Sequence, residues 1–522
     1  MNSKQFFKTV AGASLLIILF NLLSRFLGLL REIIFAHNFG VSEEFEIYLI
    51  TAVFPTVINL ILYYLGQNFF IPVYNKTKNE HPESLNSVTQ KSVIFFALVA
   101  LLTALVLEFF SPEIISFYVN SQNPVMQELG LNIFRILLLT IPMTAVVSII
   151  AAYHQARYDF KIPIISQILL NVVFIAVLIL FSKDYNIYSI TIAFVSATFI
   201  QLVYLLFVTP EIFRGTNPKL LFNIREYKGI SFSLLIILII EITGQMYVVF
   251  DRYFYEYVNK GGFAVLNYAT TVYLLPVAFI SASLSLAIFP KISDTYHKKD
   301  YNSFNRSIND GFLVLGFILA AFTAVYFFYG DFIIGLFYQR GQFSAVETLR
   351  TESLLRILSI SLIFYGIYAI IHKVYFVIEK LKPLLYINIA AIGIKFLGNT
   401  ILVNLYQEMG LALSTIISYS FLFFASITYL LLRKEIIIKP DTLKEFFIVL
   451  LNTGISILAA YIFNYFIEPV NVPPSLVGIL IFGVVFSVNS YLSGSRIMFL
   501  FIENYLPSGL SSKIHNSGGK NE

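Results

Sequence analysis

The tetrapeptide Phe69-Phe70-Ile71-Pro72 returns about 220 residues later as Ala287-Ile288-Phe289-Pro290. Other features recur at the same spacing, namely Tyr48 as Tyr268, Arg135 as Arg356, Lys161-Ile162-Pro163 as Lys382-Pro383, and the charged pair Arg31-Glu32 as Asp251-Arg252 in reversed order. Internal duplication of a membrane bundle is typical of secondary transporters, whose substrate site lies between the repeats. The sequence therefore predicts a duplicated transporter.

The composition requires a lipid environment. Hydrophobic residues make up 58% of the 522 residues and charged residues only 12%, against about 25% charged in soluble proteins. The net charge of +5 comes from basic residues that are spread over short loops without a continuous stripe, which argues against nucleic-acid binding. Cysteine is absent, so disulfides and thiolate metal sites are excluded.

Fourteen apolar segments are long enough to cross a bilayer, since a membrane helix needs about 20 residues. We expect them at 10–31, 46–73, 93–110, 131–152, 162–181, 187–208, 230–250, 264–289, 312–329, 354–371, 384–403, 411–432, 446–466 and 476–492. The predicted fold is an all-α polytopic membrane protein with two six-helix lobes, related by a pseudo-two-fold repeat, and two extra C-terminal helices.

Basic residues are distributed unequally between the two sides of these spans. Most of the 35 Lys and Arg residues fall in loops on the side of the N-terminus, so the positive-inside rule places both termini in the cytoplasm. We expect an N-terminal lobe at 1–208, a cytoplasmic linker at 209–229, a C-terminal lobe at 230–432, two extra helices at 446–492 and a cytoplasmic tail at 493–522.

The loops do not predict an enzyme. They are too short for a soluble domain and contain no grouping of paired acids, metal ligands or nucleophiles. The six His residues lack ligand spacing, so we expect no metal site, and the absence of G-x-x-x-x-G-K excludes a P-loop. We therefore expect a transporter without a cofactor, driven by a cation gradient (H⁺ or Na⁺), the membrane potential or a downhill substrate.

The first span is unusually charged, in the run Ser24-Arg25-Phe26-Leu27-Gly28-Leu29-Leu30-Arg31-Glu32. An ionisable side chain in the bilayer costs about 2.5–3.5 kcal/mol, so each needs a partner, a wet cavity or a route to the interface. Arg25, Gly28 and Glu32 share one helical face. We expect Arg25 to bind a phosphate, with Arg31 turned to the side as a second substrate-binding arginine in an ion pair with Glu32 near the outer mouth. Gly28 would allow a close approach of a helix or the substrate. In the alternative interpretation, Arg31 and Glu32 only mark the outer end of the helix.

Further charges lie in later spans. Glu241 lies in the middle of the seventh span, where it either carries a coupling proton or cation or is simply hydrogen-bonded. Lys395 in the eleventh span is expected to face the bundle interior and the substrate, with snorkelling to the interface as the alternative. Asp251 and Arg252 end the seventh span as Arg31 and Glu32 end the first, and we interpret these pairs as an outer gate.

The charged run of the first span, together with Phe39-Gly40 and Glu46, resembles the opening of the MurJ/MviN lipid II flippases. The resemblance resumes at Tyr268-Ala269, Leu275-Pro276, Phe289-Pro290-Lys291-Ile292-Ser293 and Phe337-Tyr338-Gln339-Arg340-Gly341-Gln342-Phe343, and then continues through spans ten to twelve. Each motif is weak alone, but the ordered set is specific and covers most of the chain. Arg25, Arg31 and Glu46 match family positions, and we add Glu46 to the predicted gate.

The resemblance implies a fold of the multidrug/oligosaccharidyl-lipid/polysaccharide exporter type, with two lobes around a cationic cavity and a groove for a lipid tail at the last two helices. It implies alternating-access transport of a polyprenyl-diphosphate-linked sugar across a bacterial inner membrane for peptidoglycan biosynthesis, with arginines engaging the diphosphate. Two basic family positions are not matched, because one falls near Asn59 and the other on Thr271. A less cationic cavity leaves room for another lipid-linked oligosaccharide, with Lys395 or Arg252 compensating.

Several alternatives remain open at this point. A flippase for O-antigen or exopolysaccharide precursors has the same fold, and so does a cation-coupled multidrug exporter, for which Glu241 is the only strong acidic candidate. A membrane-embedded glycosyl transferase would need larger outer loops, and a non-transporting scaffold would tolerate neutral replacement of its intramembrane charges. We predict a lipid-linked sugar flippase that works as a monomer in the bilayer.

Overall fold

The computed structural model describes residues 10–119, 123–213, 232–466 and 474–497, which form a succession of helices without a strand. We number the long helices α1 (Val10–Phe39), α2 (Glu43–Glu80), α3 (Leu85–Phe109), α4 (Pro124–Ala156), α5 (Lys161–Tyr185), α6 (Tyr188–Val208), α7 (Phe232–Tyr253), α8 (Gly262–His297), α9 (Tyr301–Tyr338), α10 (Ala345–Ser359 and Leu362–Val377), α11 (Leu381–Tyr406), α12 (Glu408–Leu432), α13 (Pro440–Phe466) and α14 (Pro474–Leu492).

Eleven helices of the described part are long and apolar enough to cross a membrane, or twelve if the two arms of α10, bent by 50°, form one span. The all-α polytopic architecture is thus confirmed, whereas the number fourteen stays a prediction. The predicted first and seventh spans are helical as α1 and α7. The side chains at the start of both helices lie outside the described residues. The predicted linker and tail fall largely outside the described residues, and the proposed lobe boundaries also stay a prediction.

The chain forms two compact units, the first of which comprises residues 1–267, 338–347 and 396–411. Its core is built by α2, α3 and α4, where Phe70, Phe96 and Phe134 are buried. Lipid gives no hydrophobic drive for helix association, so close approach at small residues matters more. At Gly66 of α2 an added Cβ would lie 2.7 Å from the carbonyl oxygen of Ser148 in α4, which requires glycine at this crossing.

The second unit comprises residues 268–337, 348–395 and 412–522. Here α13 and α14 pack on α9, with the rings of Phe317 and Phe486 4.7 Å apart. Asn309 of α9 fastens the segment before α13, since its amide donates to the Ile437 carbonyl at 2.8 Å and accepts from the Lys439 N–H at 3.1 Å. The opposite faces of α13 and α14 are exposed and apolar, as expected for lipid-facing helices.

The predicted repeat is visible in the helix boundaries. Lys161 begins α5, and its counterpart Lys382 is the second residue of α11. The repeated prolines Pro72 and Pro290 both lie inside long helices, α2 and α8. Each of these helices also contains a π turn, Gly66–Phe70 in α2 and Val277–Ser281 in α8. In α2 the π turn ends two residues before Pro72, whereas in α8 it directly follows Pro276 and ends nine residues before Pro290. A π turn beside a proline accommodates the hydrogen bond that proline cannot make, so α2 continues through Pro72 and α8 through Pro276.

Two family motifs of the sequence meet in the first unit. Gly341 has φ +58°, and a Cβ added there would lie 2.2 Å from the carbonyl oxygen of His37, while the Gln342 N–H donates to that same oxygen at 2.9 Å. Gly40 has φ +53° and approaches the carbonyl of Gln342. Glycine is needed at both positions because a side chain would be strained and would clash.

We expect Gly341→Ala to lower the thermal unfolding temperature of the purified protein. The left-handed backbone costs alanine about 1–2 kcal/mol, and the clash with the His37 carbonyl adds to this. Gly454→Ala is the matched control, because Gly454 lies in α13 with no atom within 4 Å of its added Cβ. An unchanged melting curve for Gly341→Ala would show that the contact is not formed in solution.

Candidate functional site

Three charged residues that were predicted as site residues, from both repeats, line one cavity of the first unit, which we call the arginine pocket. It measures about 260 Å³ and lies between α1, α2 and α7, with Arg31, Glu32, Tyr48, Thr56, Gln245, Arg252 and Asn267 among its lining residues. Arg31 donates to Glu32 at 3.1 Å, and the Asn267 amide donates to the same carboxylate at 3.3 Å. Glu32 is therefore held from two sides.

The guanidinium groups of the arginine pocket are packed on rings. Arg31 lies 5.2 Å from the ring centroid of Phe174, and the buried Arg252 lies 5.1 Å from that of Phe263. The Nε atom of each arginine is buried without a hydrogen-bond partner among the described residues. Both arginines line the pocket, so an anion there would lie beside two guanidinium groups.

Arg25 and Gly28 lie earlier on α1. Arg25 is partly buried and belongs to the lining of neither cavity described here. It lies seven residues before Glu32 on the same helical face, so it is about 10 Å from the arginine pocket along α1. No described atom lies within 4 Å of a Cβ added at Gly28, so no helix of the described part packs closely against it, and its predicted role in substrate approach stays a prediction.

Glu241 lines a second cavity of the first unit, of about 410 Å³, which we call the amide pocket. Its lining consists of Leu60, Ile61, Tyr63, Tyr64, Gln67, Gln167, Glu241 and Gln245. The Tyr64 hydroxyl hydrogen-bonds to Glu241, and the Tyr63 hydroxyl accepts from Gln201 at 3.0 Å. Glu241 is thus hydrogen-bonded and lines a cavity, and its role in carrying a proton or cation stays a prediction.

Glu46, which we predicted in the gate, caps a helix. Its side chain is fully buried and accepts hydrogen bonds from the backbone N–H groups of Gly261 and Phe263, both at 2.7 Å, and of Ala264 at 3.2 Å. These are N–H groups at the start of α8, where a carboxylate is favoured by both hydrogen bonding and the helix dipole. Glu46 therefore ties α2 to the beginning of α8.

The segment between α7 and α8 has further polar contacts in the first unit. The Asp251 carboxylate accepts from the amide of Asn399 at 2.9 Å, and the Asn259 amide donates to Glu408 at 3.3 Å. Lys260 pairs with Glu43 at 3.5 Å, although the lysine side chain is 89% exposed. Burial, and then the negative charge of Glu46, raises the pKa of Tyr255 in this segment.

Lys395 lies in the second unit, where it is fully buried. Its ammonium donates to the hydroxyls of Ser414 at 3.1 Å and Thr415 at 2.6 Å, so it points into the unit and does not snorkel. Asn59, near which the resemblance places an unmatched basic family position, is buried and donates to Thr140 at 2.8 Å. A side chain with that structural role does not replace the missing charge.

Sequence reasoning missed the uncharged members of the two pockets. Gln67, Gln167 and Gln245 give no motif, and Asn267 precedes the recognisable Tyr268-Ala269 by only one residue. Helical spacing alone identifies one of these residues. Gln245 lies four residues after Glu241 and seven before Arg252, so all three share one face of α7. Gln167 comes from α5 and could be found only from the packing. Among described residues no group of three His, Asp or Glu could hold a metal.

The chain is similar to known proteins over most of its length. A sequence model of the family described as lipid II flippase MurJ matches residues 35–486. A relative from Borreliella burgdorferi, named probable lipid II flippase MurJ, is 26% identical over 87% of this chain and 89% of its own. A relative from Thermosipho africanus, named lipid II flippase MurJ, is 26% identical over 88% of this chain and 92% of its own.

Solved structures agree in fold. One described as lipid II flippase MurJ in an inward closed conformation has a TM-score of 0.74 and 22% identity, covering 92% of this chain and 98% of that chain. An inward-facing multidrug resistance MATE family transporter has a TM-score of 0.63 and 11% identity, covering 80% and 97%. The predicted family resemblance and the predicted exporter-type fold are confirmed by these matches.

Proposed function

We propose, from the premise that this chain belongs to the MurJ family of lipid II flippases, that it moves lipid II from the inner to the outer leaflet of a membrane. The observation that carries this proposal is the arginine pocket, which Arg31 of α1 and Arg252 of α7 both line. Such a pair is suited to an anionic group with several oxygens, as in a diphosphate.

The physical problem of flipping is the charged headgroup. The free-energy cost of moving a diphosphate through hydrocarbon without hydrogen-bond partners is prohibitive. A polar cavity lowers this cost, because fixed donors replace the water that hydrates the phosphates. Arg25 and the open space at Gly28 lie on one face of α1 that leads to the arginine pocket, where an anion passes from Arg25 to Arg31 and Arg252. The isoprenoid tail stays in lipid during this passage, and alternating access exposes the cavity to each side in turn.

The other predicted site residues take supporting roles in this proposal. Glu32, Glu46, Asp251 and Arg252 form the outer gate, with Glu46 holding the start of α8. Lys395 contributes a buried positive charge in the second unit. We place the coupling step at Glu241, with H⁺, Na⁺ or the membrane potential as the driving force, which is tested by collapsing each gradient in proteoliposomes and comparing wild type with Glu241→Gln.

We propose that the protein acts as a monomer in the bacterial cytoplasmic membrane, with both termini in the cytoplasm and no enzymatic activity of its own. The basic loops support this orientation by the positive-inside rule. Reporter fusions to each terminus test it, because an externally located terminus would reverse the direction assigned to transport.

Complementation tests the substrate. Expression of this chain should restore growth and lipid II translocation in a strain depleted of its own lipid II flippase. A second candidate is a related lipid-linked oligosaccharide, favoured by the role of Asn59 as a buried partner of Thr140 near a position where the family has a basic residue. Rescue of an O-antigen or exopolysaccharide flippase mutant, without rescue of lipid II translocation, would select this candidate instead.

A further inference from the structure

We infer that the amide pocket is a saccharide subsite, which holds the first sugar of the lipid-linked substrate while the arginine pocket holds its diphosphate. This inference rests on the proposed function and deepens it. It assigns recognition of the sugar to Gln67, Gln167, Tyr64 and Glu241, which line the amide pocket but not the arginine pocket, and to Gln245, which lines both.

The chemistry of the lining suits hydroxyl and acetamido groups. Carboxamide side chains both donate and accept, phenols do the same, and the carboxylate of Glu241 accepts, so the pocket can satisfy neutral groups that are donors and acceptors at once. No arginine or lysine lines it, which distinguishes it from the arginine pocket. At about 410 Å³ it lies within the range of small-molecule sites.

The position of the amide pocket matches the covalent order of the substrate. Glu241, Gln245, Val248 and Arg252 follow one another on one face of α7, at spacings of four, three and four residues. Gln245 lines both cavities, so the two adjoin at this residue. From Glu241 to Arg252 the helix rises about 16 Å, enough for a sugar bonded directly to a diphosphate.

Part of the amide pocket is held in place before any ligand binds. Tyr63 is fixed by Gln201, whose amide also donates to Ser166 at 3.3 Å, and Gln201 itself is buried. Tyr64 is fixed by its hydrogen bond to Glu241. Groups already oriented lose less entropy on binding, which favours recognition of one sugar stereochemistry over others.

The test compares two lipids on full-length protein in nanodiscs. One probe is polyprenyl diphosphate without sugar, and the other is the same lipid carrying a single N-acetylated sugar. We expect Gln67→Ala combined with Gln167→Ala to weaken binding of the sugar-bearing lipid by about tenfold or more, since two hydrogen bonds are lost. Affinity for the sugar-free diphosphate should not change.

Asn68→Ala is the matched control, because this neighbouring amide of α2 donates to the carbonyl of Tyr64 at 3.0 Å and does not line the cavity. Unfolding temperatures equal to wild type establish that the double variant folds. Equal losses for both lipids, or no loss for either, would overturn the saccharide subsite. Wild-type protein that binds neither lipid would refute the proposed function itself.

Discussion

Arg25→Ala is expected to abolish lipid II translocation while the protein still inserts into the membrane at the wild-type level. Arg25 lies on the face of α1 that leads to the arginine pocket, beside the open space at Gly28. A charge-assisted hydrogen bond to phosphate contributes about 1.5–3 kcal/mol, so a bidentate contact is worth one to several orders of magnitude in affinity. The measurement is complementation of a flippase-depleted strain, together with flipping in proteoliposomes.

Two variants make the Arg25 result specific. Arg25→Lys keeps the positive charge but loses the planar guanidinium that makes two parallel hydrogen bonds to a phosphate, so it should retain partial activity. Arg306→Ala should behave as wild type, because Arg306 is a surface residue whose ion pair with Asp310 is 3.9 Å long and exposed. Full transport by Arg25→Ala would remove this residue from the substrate path and leave Arg31 and Arg252 as the only candidates of α1 and α7.

The fold could be predicted largely from the sequence because lipid permits few solutions. Apolar length fixes where a helix crosses, and the recurrence of Pro72 as Pro290 and of Lys161 as Lys382 fixes the repeat. The ends of the helices are harder to predict from the sequence, because polar residues continue the helices beyond the bilayer. The second span was predicted at 46–73, for example, and α2 runs from Glu43 to Glu80.

The candidate site could be predicted only where charge marks it. Of the residues predicted at the gate and beside it, Arg31, Glu32 and Arg252 line one cavity, whereas Asp251 and Glu46 make their contacts elsewhere in the first unit. The function of Glu46 as a helix cap could not be read from the sequence, because the three N–H groups it accepts from lie about 215 residues away. Amide residues such as Gln67 are common on membrane helices and become informative only when packing brings several of them to one cavity.

Removal of the Glu46 carboxylate is expected to destabilise the protein and to open its outer end. In Glu46→Ala the N–H groups of Gly261, Phe263 and Ala264 lose their acceptor in a buried place, at about 1–3 kcal/mol for each group left unsatisfied. The buried Arg252 also loses the attraction of this carboxylate. The unfolding temperature in detergent should fall by several degrees. Glu46→Gln keeps one acceptor oxygen, so its unfolding temperature should lie between those of wild type and Glu46→Ala.

Opening is measured with a single reporter thiol, since the chain has no cysteine of its own. Thr56→Cys places this thiol in the lining of the arginine pocket. A membrane-impermeant maleimide added from outside should label it faster in the Glu46→Ala background, because the start of α8 is no longer tied to α2. Glu43→Ala is the control, as its partner Lys260 is 89% exposed and the pair contributes little. Equal labelling rates in all three backgrounds would show that the Glu46 cap stabilises α8 without closing the outer side, and the gate would then have to be sought in the contacts of Asp251 and Asn399.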